Sequence, residues 1–335
     1  MMDKDQIHEP MSHIKIIDVS LRDGGYLNNW QFDREQLKKV SLILDSLKLD
    51  FVEVGYLNDR LSLGMDDKSA LCLLEEIKKN LNHSQLSIMV NPKYKEVKNK
   101  LCHFSDYITF IRIPSDFINI RDALILAEHI KRCNIKVSLN LISITQYTYD
   151  ELMDFIITFN TSGLIDMLYV ADSRGSLQPA EAFEYIKIIK SCFNQTVGFH
   201  GHDNLNLAFE NSLMAVKAGC EFVDGSVEGY GLGGGNTRLD ILMKHFRGMD
   251  TGSGEGKAIF HELKQVLDLA KPREMELYRF SAEKNMEQEW VAPILEKYGK
   301  DSSDIIKSLT KKSYKNCEDI HDIISKNREE IHAGH

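Results

Sequence analysis

No basic excess marks this chain. Its net charge is −9, its Lys and Arg are scattered, and no basic run is interleaved with aromatics. That removes the electrostatic footprint expected for nucleic acid or an anionic membrane. No apolar stretch approaches the roughly 18–20 residues that a membrane-spanning helix requires. The opening MMDKDQIHEPMSH is polar and acidic and lacks an apolar signal region, so the expectation is a cytoplasmic protein. Six cysteines (Cys72, Cys102, Cys133, Cys192, Cys220 and Cys317) are widely spaced, with no CxxC. They are expected to be buried thiols in a reducing compartment, not a disulfide frame or a zinc knuckle. There is no low-complexity tract.

What is present is ordinary globular composition, 43% hydrophobic and 27% charged, over 335 residues. Short β-type runs alternate with helix-period runs eight times. KIIDVS (15–20) precedes a helix carrying Leu37, Val40, Leu44 and Leu47 at three- and four-residue steps. FVEVG (51–55) precedes a helix near 67–80, and LSIMV (86–90) a short one around 93–101. YITFIRI (107–113) and KVSLNLI (136–142) lead to helices near 118–132 and 149–160. IDMLYVA (165–171) precedes a helix opened by Pro179; TVGFH (196–200) precedes 205–218, and EFVDGSV (221–227) precedes 238–247. Continuously apolar strands suit parallel pairing under a cover of helices. Eight such units match a (β/α)8 TIM barrel, usually about 250 residues long, better than a doubly wound open sheet. The Gly/Ser stretch TGSGEG (251–256) is the best boundary. The expected division is a barrel over 1–250 and a helical C-terminal region over 257–335, with Ile259, Leu263, Val266 and Leu267 on one stripe.

In such a barrel, chemistry sits where strands end. Strand seven ends in FHGHDN, so His200 and His202, two apart, point to the same side of an extended backbone. Strand one runs into Arg22-Asp23-Gly24-Gly25, and only strand eight separates it from strand seven. Asp23, His200 and His202 are therefore expected to form a three-ligand face that leaves positions open, the alternative being rim histidines satisfied by their neighbours. Nitrogen and oxygen ligands without thiolate suit Mn²⁺, Mg²⁺, Fe²⁺, Co²⁺ or Zn²⁺. The residues alone do not choose among them. Asp18, inside strand one, is expected in the barrel interior or behind the ligands. Arg22 beside a cation needs its own anion, which Glu53 on strand two could supply, and suits an enolate or carbonyl oxygen. Gly229, Gly231 and Gly234 satisfy G-x-G-x-x-G, but in the last unit instead of the first, against a dinucleotide site. A close-approach loop explains them better, with Asn236 as a further ligand or substrate donor. Asp172, Ser173 and Gly175 end strand six as a carboxylate cradle or a simple turn. Arg112 ends strand four as an anion binder or an outward salt bridge.

Together LRDG (21–24), GFHGHDNLNLAFENSLMAVKAGC (198–220) and VDGSVEGYGLGGGNT (223–237) resemble the metal-dependent pyruvate aldolases. These belong to the DRE-TIM metallolyase (HMG-CoA lyase-like) superfamily, and the likeness is greatest to the 4-hydroxy-2-oxovalerate aldolase type. EKYGKDSSDIIKSL (296–309) resembles that family's helical C-terminal region. The resemblance implies metal held by Asp23, His200, His202 and, as in lyase relatives, Asn236. It implies enolate stabilisation by Arg22 and a serine, here Ser173, that helps hold the keto acid. It further implies a 2-oxoacid and an aldehyde as substrates, and a homodimer or dehydrogenase partner at the C-terminal helices. Two positions depart from the pattern. Tyr26 stands where relatives carry a histidine base, and polar residues around Lys284–Met286 stand where they carry a tyrosine. Tyr26 could move the proton if the metal or Arg22 lowered its pKa. The alternatives are a Claisen-type acyl-CoA synthase or lyase of the same superfamily, and a non-catalytic barrel subunit.

Overall fold

The computed structural model describes residues 13–57, 67–94, 100–116, 118–311, 317 and 320. Eight parallel strands close into a barrel in sequence order: β1 (Lys15–Asp18), β2 (Phe51–Tyr56), β3 (Gln85–Met89), β4 (Ile108–Ser115), β5 (Lys136–Leu141), β6 (Met167–Asp172), β7 (Thr196–Gly201) and β8 (Phe222–Gly225). Closure is made by β1, which pairs with β2 and with β8, setting Asp18 opposite Gly225.

Helices α1 (Arg34–Ser46), α2 (Asp67–Asn80), α3 (Ile120–Arg132), α4 (Tyr149–Ser162), α5 (Pro179–Cys192), α6 (Ala208–Lys217) and α7 (Leu239–Arg247) surround the strands. Their starts are written locally. Asp33 accepts the Gln36 amide at 2.8 Å while Gln36 caps back, Thr148 and Glu151 do the same for α4, and Pro179 opens α5. Gly163 and Gly248 end α4 and α7 in the left-handed conformation. The short helix expected around 93–101 differs. Residues 95–99 lie outside the described residues, Asn91–Tyr94 is a turn, and a 3-10 turn spans Leu101–Phe104. No helix among the described residues is long and apolar enough to cross a membrane.

Outward-facing strand residues such as Ile16, Val52, Ile111 and Val223 pack under the helices in one large core. The inside of the barrel is layered, as strand alternation demands. The even-numbered strands supply an apolar floor of Phe51, Phe110, Met167 and Phe222. Two residues further along the same strands come Glu53, Arg112, Tyr169 and Asp224, a polar layer with no access to solvent. Asp18 has the opposite parity to the inward Ile17 and Val19, so it faces the helix layer and not the barrel interior as expected. There it accepts from the Ser20 amide and hydroxyl, and burial pushes its pKa up to about 7.

Helix α8 (Gly254–Leu267) packs on α1 through Phe260, Leu263 and Leu267 and joins the barrel's core. The stretch before it is a tight turn, with the Asp250 carboxylate accepting from the amides of Gly252 and Ser253. Helices α9 (Met275–Glu283), α10 (Val291–Tyr298) and α11 (Ser302–Ser308) build a second apolar cluster around Phe280, Ile294 and Ile306.

The cysteines depart from expectation. Cys102 and Cys133 form a disulfide, Cys72 is exposed, Cys192 and Cys317 are half-buried, and Cys220 is a buried thiol. The 3-10 turn before β4 and the end of α3 meet at the same end of the barrel. Their Cα atoms approach to 4.7 Å across 31 residues of sequence, a proximity that linear spacing does not display.

The layering rests on one small residue. A Cβ on Gly198 would lie 2.3 Å from the Tyr169 ring, which is itself stacked under Arg112. Gly198→Ala is expected to lose about 1–3 kcal/mol in urea denaturation. Wild-type stability would show that the ring has room to move.

Candidate metal centre

The Arg-Asp-Gly-Gly turn after β1 is built around a ring. Trp30 donates its indole N–H to the Arg22 carbonyl at 2.7 Å and lies across Gly25, where a Cβ would stand 2.1 Å from the ring. Gly24 is less tightly confined, a Cβ there standing 3.3 Å from Tyr230 and Leu269. The turn delivers Arg22 and Asp23 to the barrel mouth, both buried and in contact through Arg22 Nη1 and Asp23 Oδ1. Burial alone would raise the Asp23 pKa, but the Arg22 guanidinium overrides it and holds the carboxyl at about 2.

Asp23, His200 and His202 offer three ligand atoms within 4.8 Å of one another. His200 Nδ1 is 2.8 Å from Asp224 Oδ2, and His202 Nδ1 is 3.2 Å from the Gly235 carbonyl. Both partners are acceptors, so in the neutral form of each ring Nδ1 carries the proton and Nε2 presents a lone pair. Burial lowers the His202 pKa to about 4, which keeps that ring neutral. The two Nε2 atoms nevertheless face each other at 3.3 Å. Two lone pairs so placed repel unless a cation lies between them. Asp23 Oδ2, 4.0 Å from His202 Nε2, and Asn236 Oδ1 are buried without a hydrogen-bond partner. This donor set fits a divalent ion. The Asn236 amide donates to the Tyr230 carbonyl at 3.0 Å, and its backbone bridges to His202.

Beneath the triad lies the polar layer. Arg112 Nη2 donates to Asp224 Oδ2 at 2.7 Å and Nη1 to Glu53 Oε2 at 3.1 Å, with the guanidinium carbon 4.3 Å from the Tyr169 ring centre. Glu53 Oε2 also receives Arg22 Nε at 2.7 Å. Arg112 thus fixes two carboxylates, one of which orients Arg22 and the other His200. Neither Arg112 nor Glu53 lines the cavity above. Both sit under its floor, and Arg112 is neither an outward salt bridge nor open to an anion.

That cavity, about 790 Å³, is lined by Arg22, Asp23, Tyr26, Ser173, His200 and His202 among others. The Ser173 hydroxyl accepts from the Ser143 amide at 3.0 Å. Tyr26 packs on Trp30 with ring centres 4.5 Å apart, and its hydroxyl is 3.5 Å from that of Tyr56. Burial and then Tyr56 push the Tyr26 pKa far up, the reverse of the lowering expected for a base. The glycine-rich loop cradles protein instead of phosphate. A Cβ on Gly231 would meet Asp23 Oδ2 at 2.6 Å, and the Gly234 amide donates to Asn204 Oδ1 at 2.6 Å.

Sequence reasoning missed Asp224, Asn204, Arg174 and the segment Glu287–Trp290. Arg174, buried, donates to Glu287 at 2.8 Å and to the Asn285 carbonyl at 2.7 Å, and Asn204 donates to Gln288 at 3.1 Å. These bonds hold Glu287–Trp290 in the cavity wall, just beyond the Lys284–Met286 region singled out in the sequence. Asp224 had a visible signal, a carboxylate inside an otherwise apolar strand. The segment had none.

The family model described as HMGL-like matches residues 13–266, and the chain belongs to that family. It is 28% identical over 265 residues to a 4-hydroxy-2-oxovalerate aldolase of Brevibacillus brevis, covering 77% of this chain and 75% of that one. An oxaloacetate decarboxylase of Mycobacterium tuberculosis is 24% identical over 231 residues, covering 68% of each chain. The N-terminal domain of a Bacteroides vulgatus protein described as an aldolase superposes with a TM-score of 0.74 at 26% identity, covering 88% of this chain and all of that one. The carboxyl transferase domain of Rhizobium etli pyruvate carboxylase, at 14% identity and a TM-score of 0.70 over 94% of this chain and 62% of that one, shares the fold.

Removing Arg112 strands two buried carboxylates. Arg112→Met is expected to cost about 3–5 kcal/mol in urea denaturation, and Arg112→Lys less, since it keeps the charge but not the forked donors. Full stability in Arg112→Met would mean that apolar filling serves this layer equally well.

Proposed function

We propose that this member of the HMGL-like family is a divalent-metal-dependent carbon–carbon lyase. It works through the enolate of a pyruvate-type 2-oxoacid, joined to or released from an aldehyde. The observation that carries this reading is the convergence of two imidazole lone pairs and an unpartnered Asp23 oxygen beside Arg22 on a cavity floor. When bound at Asp23, His200 and His202, with Asn236 adjacent, Mn²⁺ or Mg²⁺ supplies Lewis acidity that favours the enolate.

The chain's own groups do the rest. Among Arg22, Arg112, Asp23, Glu53 and Asp224 the formal charges leave one net negative, which a divalent ion turns to one net positive. That suits a monoanionic 2-oxoacid and resists a second anion. Arg22, already oriented by Glu53, aims its remaining N–H groups at the oxyanion. Ser173 borders the same floor and hydrogen-bonds the keto acid. Tyr26 keeps its proton, so it acts as a donor to the aldehyde oxygen and not as the base.

The relative named for oxaloacetate decarboxylation supports a second reading, loss of CO₂ from a 2-oxodiacid through the same enolate.

Pyruvate incubated in D₂O with Mn²⁺ is expected to gain methyl deuterium by mass spectrometry, and Asp23→Asn to abolish both exchange and Mn²⁺ retention. CO₂ release from oxaloacetate at a rate far above the rate of pyruvate exchange would favour the second reading. Metal bound without exchange of any 2-oxoacid would refute the enolate.

A further inference from the structure

The site is larger than its floor chemistry requires. Sites of roughly 300–1,000 Å³ hold drug-sized molecules. At about 790 Å³ this cavity falls there, whereas a three-carbon 2-oxoacid covers only the floor near Arg22 and Ser173. The space above belongs to the acceptor, and its walls differ.

On the side of β1 and β2 the wall is aromatic. Tyr26 and Tyr56 stand edge-on to Trp30 at 4.5 and 5.6 Å between ring centres, and Trp30 is pinned by its indole bond to Arg22. Its backbone is left-handed, with φ of 54°, so the ring's place is dictated by these contacts and not by local preference. Across the barrel, the loop after β4 brings Asp116 and the first turn of α4 brings Glu151, while the C-terminal segment adds Glu287 and Glu289, the latter near enough to act on Tyr26. Asp116 is held by the amides of Ile118 and Asn119, both at 3.0 Å, and Glu151 caps α4. Against these four carboxylates stand Lys93 and Arg174, and Arg174 is taken by Glu287 at 2.8 Å. Pro114, Ile142, Tyr147 and Trp290 reach the cavity as well, so the chamber above the floor is aromatic near β1 and β2, both acidic and apolar toward β4 and β5, and net negative in formal charge.

Resting on the lyase reading above, we propose that the acceptor is an uncharged polyhydroxylated aldehyde. Its C–H face lies on the Tyr26–Trp30–Tyr56 wall and its hydroxyls donate to Asp116, Glu151 and Glu289. A flexible polyol chain has both surfaces, and an apolar aldehyde of equal length would leave the acidic wall unpartnered. An aldehyde carrying phosphate meets like charge. The step itself needs no further reagent. The enolate carbon bonds to the aldehyde carbon, the carbonyl π pair moves to oxygen, and that oxygen takes one proton.

The test uses the full chain with Mn²⁺, pyruvate, and D-erythrose, D-erythrose 4-phosphate or pentanal, reading kcat/KM for the new carbon–carbon product by mass spectrometry. Erythrose is expected to exceed both others by about tenfold or more, the equivalent of about 1.4 kcal/mol of discrimination. In Asp116→Asn/Glu289→Gln, the ratio of erythrose 4-phosphate to erythrose should rise about fivefold or more, as like charge is removed. Pentanal or the phosphate ester matching erythrose, an unchanged ratio in the variant, or no product from erythrose while pyruvate methyl exchange proceeds would each overturn the acceptor assignment alone. No exchange without aldehyde would overturn the lyase reading and this inference with it.

Discussion

One guanidinium organises the chemistry of this barrel. Arg112 sits at its centre with no solvent exposure, clasped between Glu53 and Asp224, and each of those carboxylates holds a group that reaches the cavity. Glu53 aligns Arg22, and Asp224 fixes the proton on His200 Nδ1 so that Nε2 faces upward. Buried charges are costly unless paired and hydrogen-bonded, and here each anion is shared by two donors. The arrangement exists because four even-numbered strands place their second inward residue at one level. Tyr169 completes that level and Gly198 makes room for it.

From this layer upward the geometry is built outward in steps. The layer orients the histidine and the arginine; the Asp23 turn, wrapped on Trp30, brings the carboxylate; the glycine-rich loop closes behind Asp23 because only hydrogen fits at Gly231. The outer chamber comes from more distant sequence, with Arg174 and Asn204 pinning Glu287–Trp290 across the mouth. Rigid support below and longer loops above match the division expected between a preorganised floor and a substrate-specific rim.

Much of this was legible in the residues. Eight apolar runs with helical spacers specify the closed barrel, and strand-end Asp23, His200 and His202 specify the triad, because alternation and strand order are local properties. Strand parity also marks Arg112 and Glu53 as inward but not at which depth, so Arg112, weighed as an anion binder or an outward salt bridge, lies instead beneath the cavity floor, while Glu53 partners Arg22 as expected. Asp18 is a different case, since parity opposite to that of the inward Ile17 and Val19 turns it toward the helix layer and not into the barrel interior where it was expected. The Cys102–Cys133 bond, the raised pKa of Tyr26 and the C-terminal wall depend on which surfaces meet in three dimensions. No spacing rule encodes those meetings.

If the buried layer sets up the metal centre, disturbing it should be felt at the ion. The direct measurement is Mn²⁺ affinity by calorimetric titration of wild type and Asp224→Asn, a substitution at a residue that does not line the cavity. One ion per chain is expected in both, bound about 10–100-fold more weakly in the variant, because the partner of a ligating histidine is lost. Equal affinity would contradict it, leaving the triad independent of the arginine below.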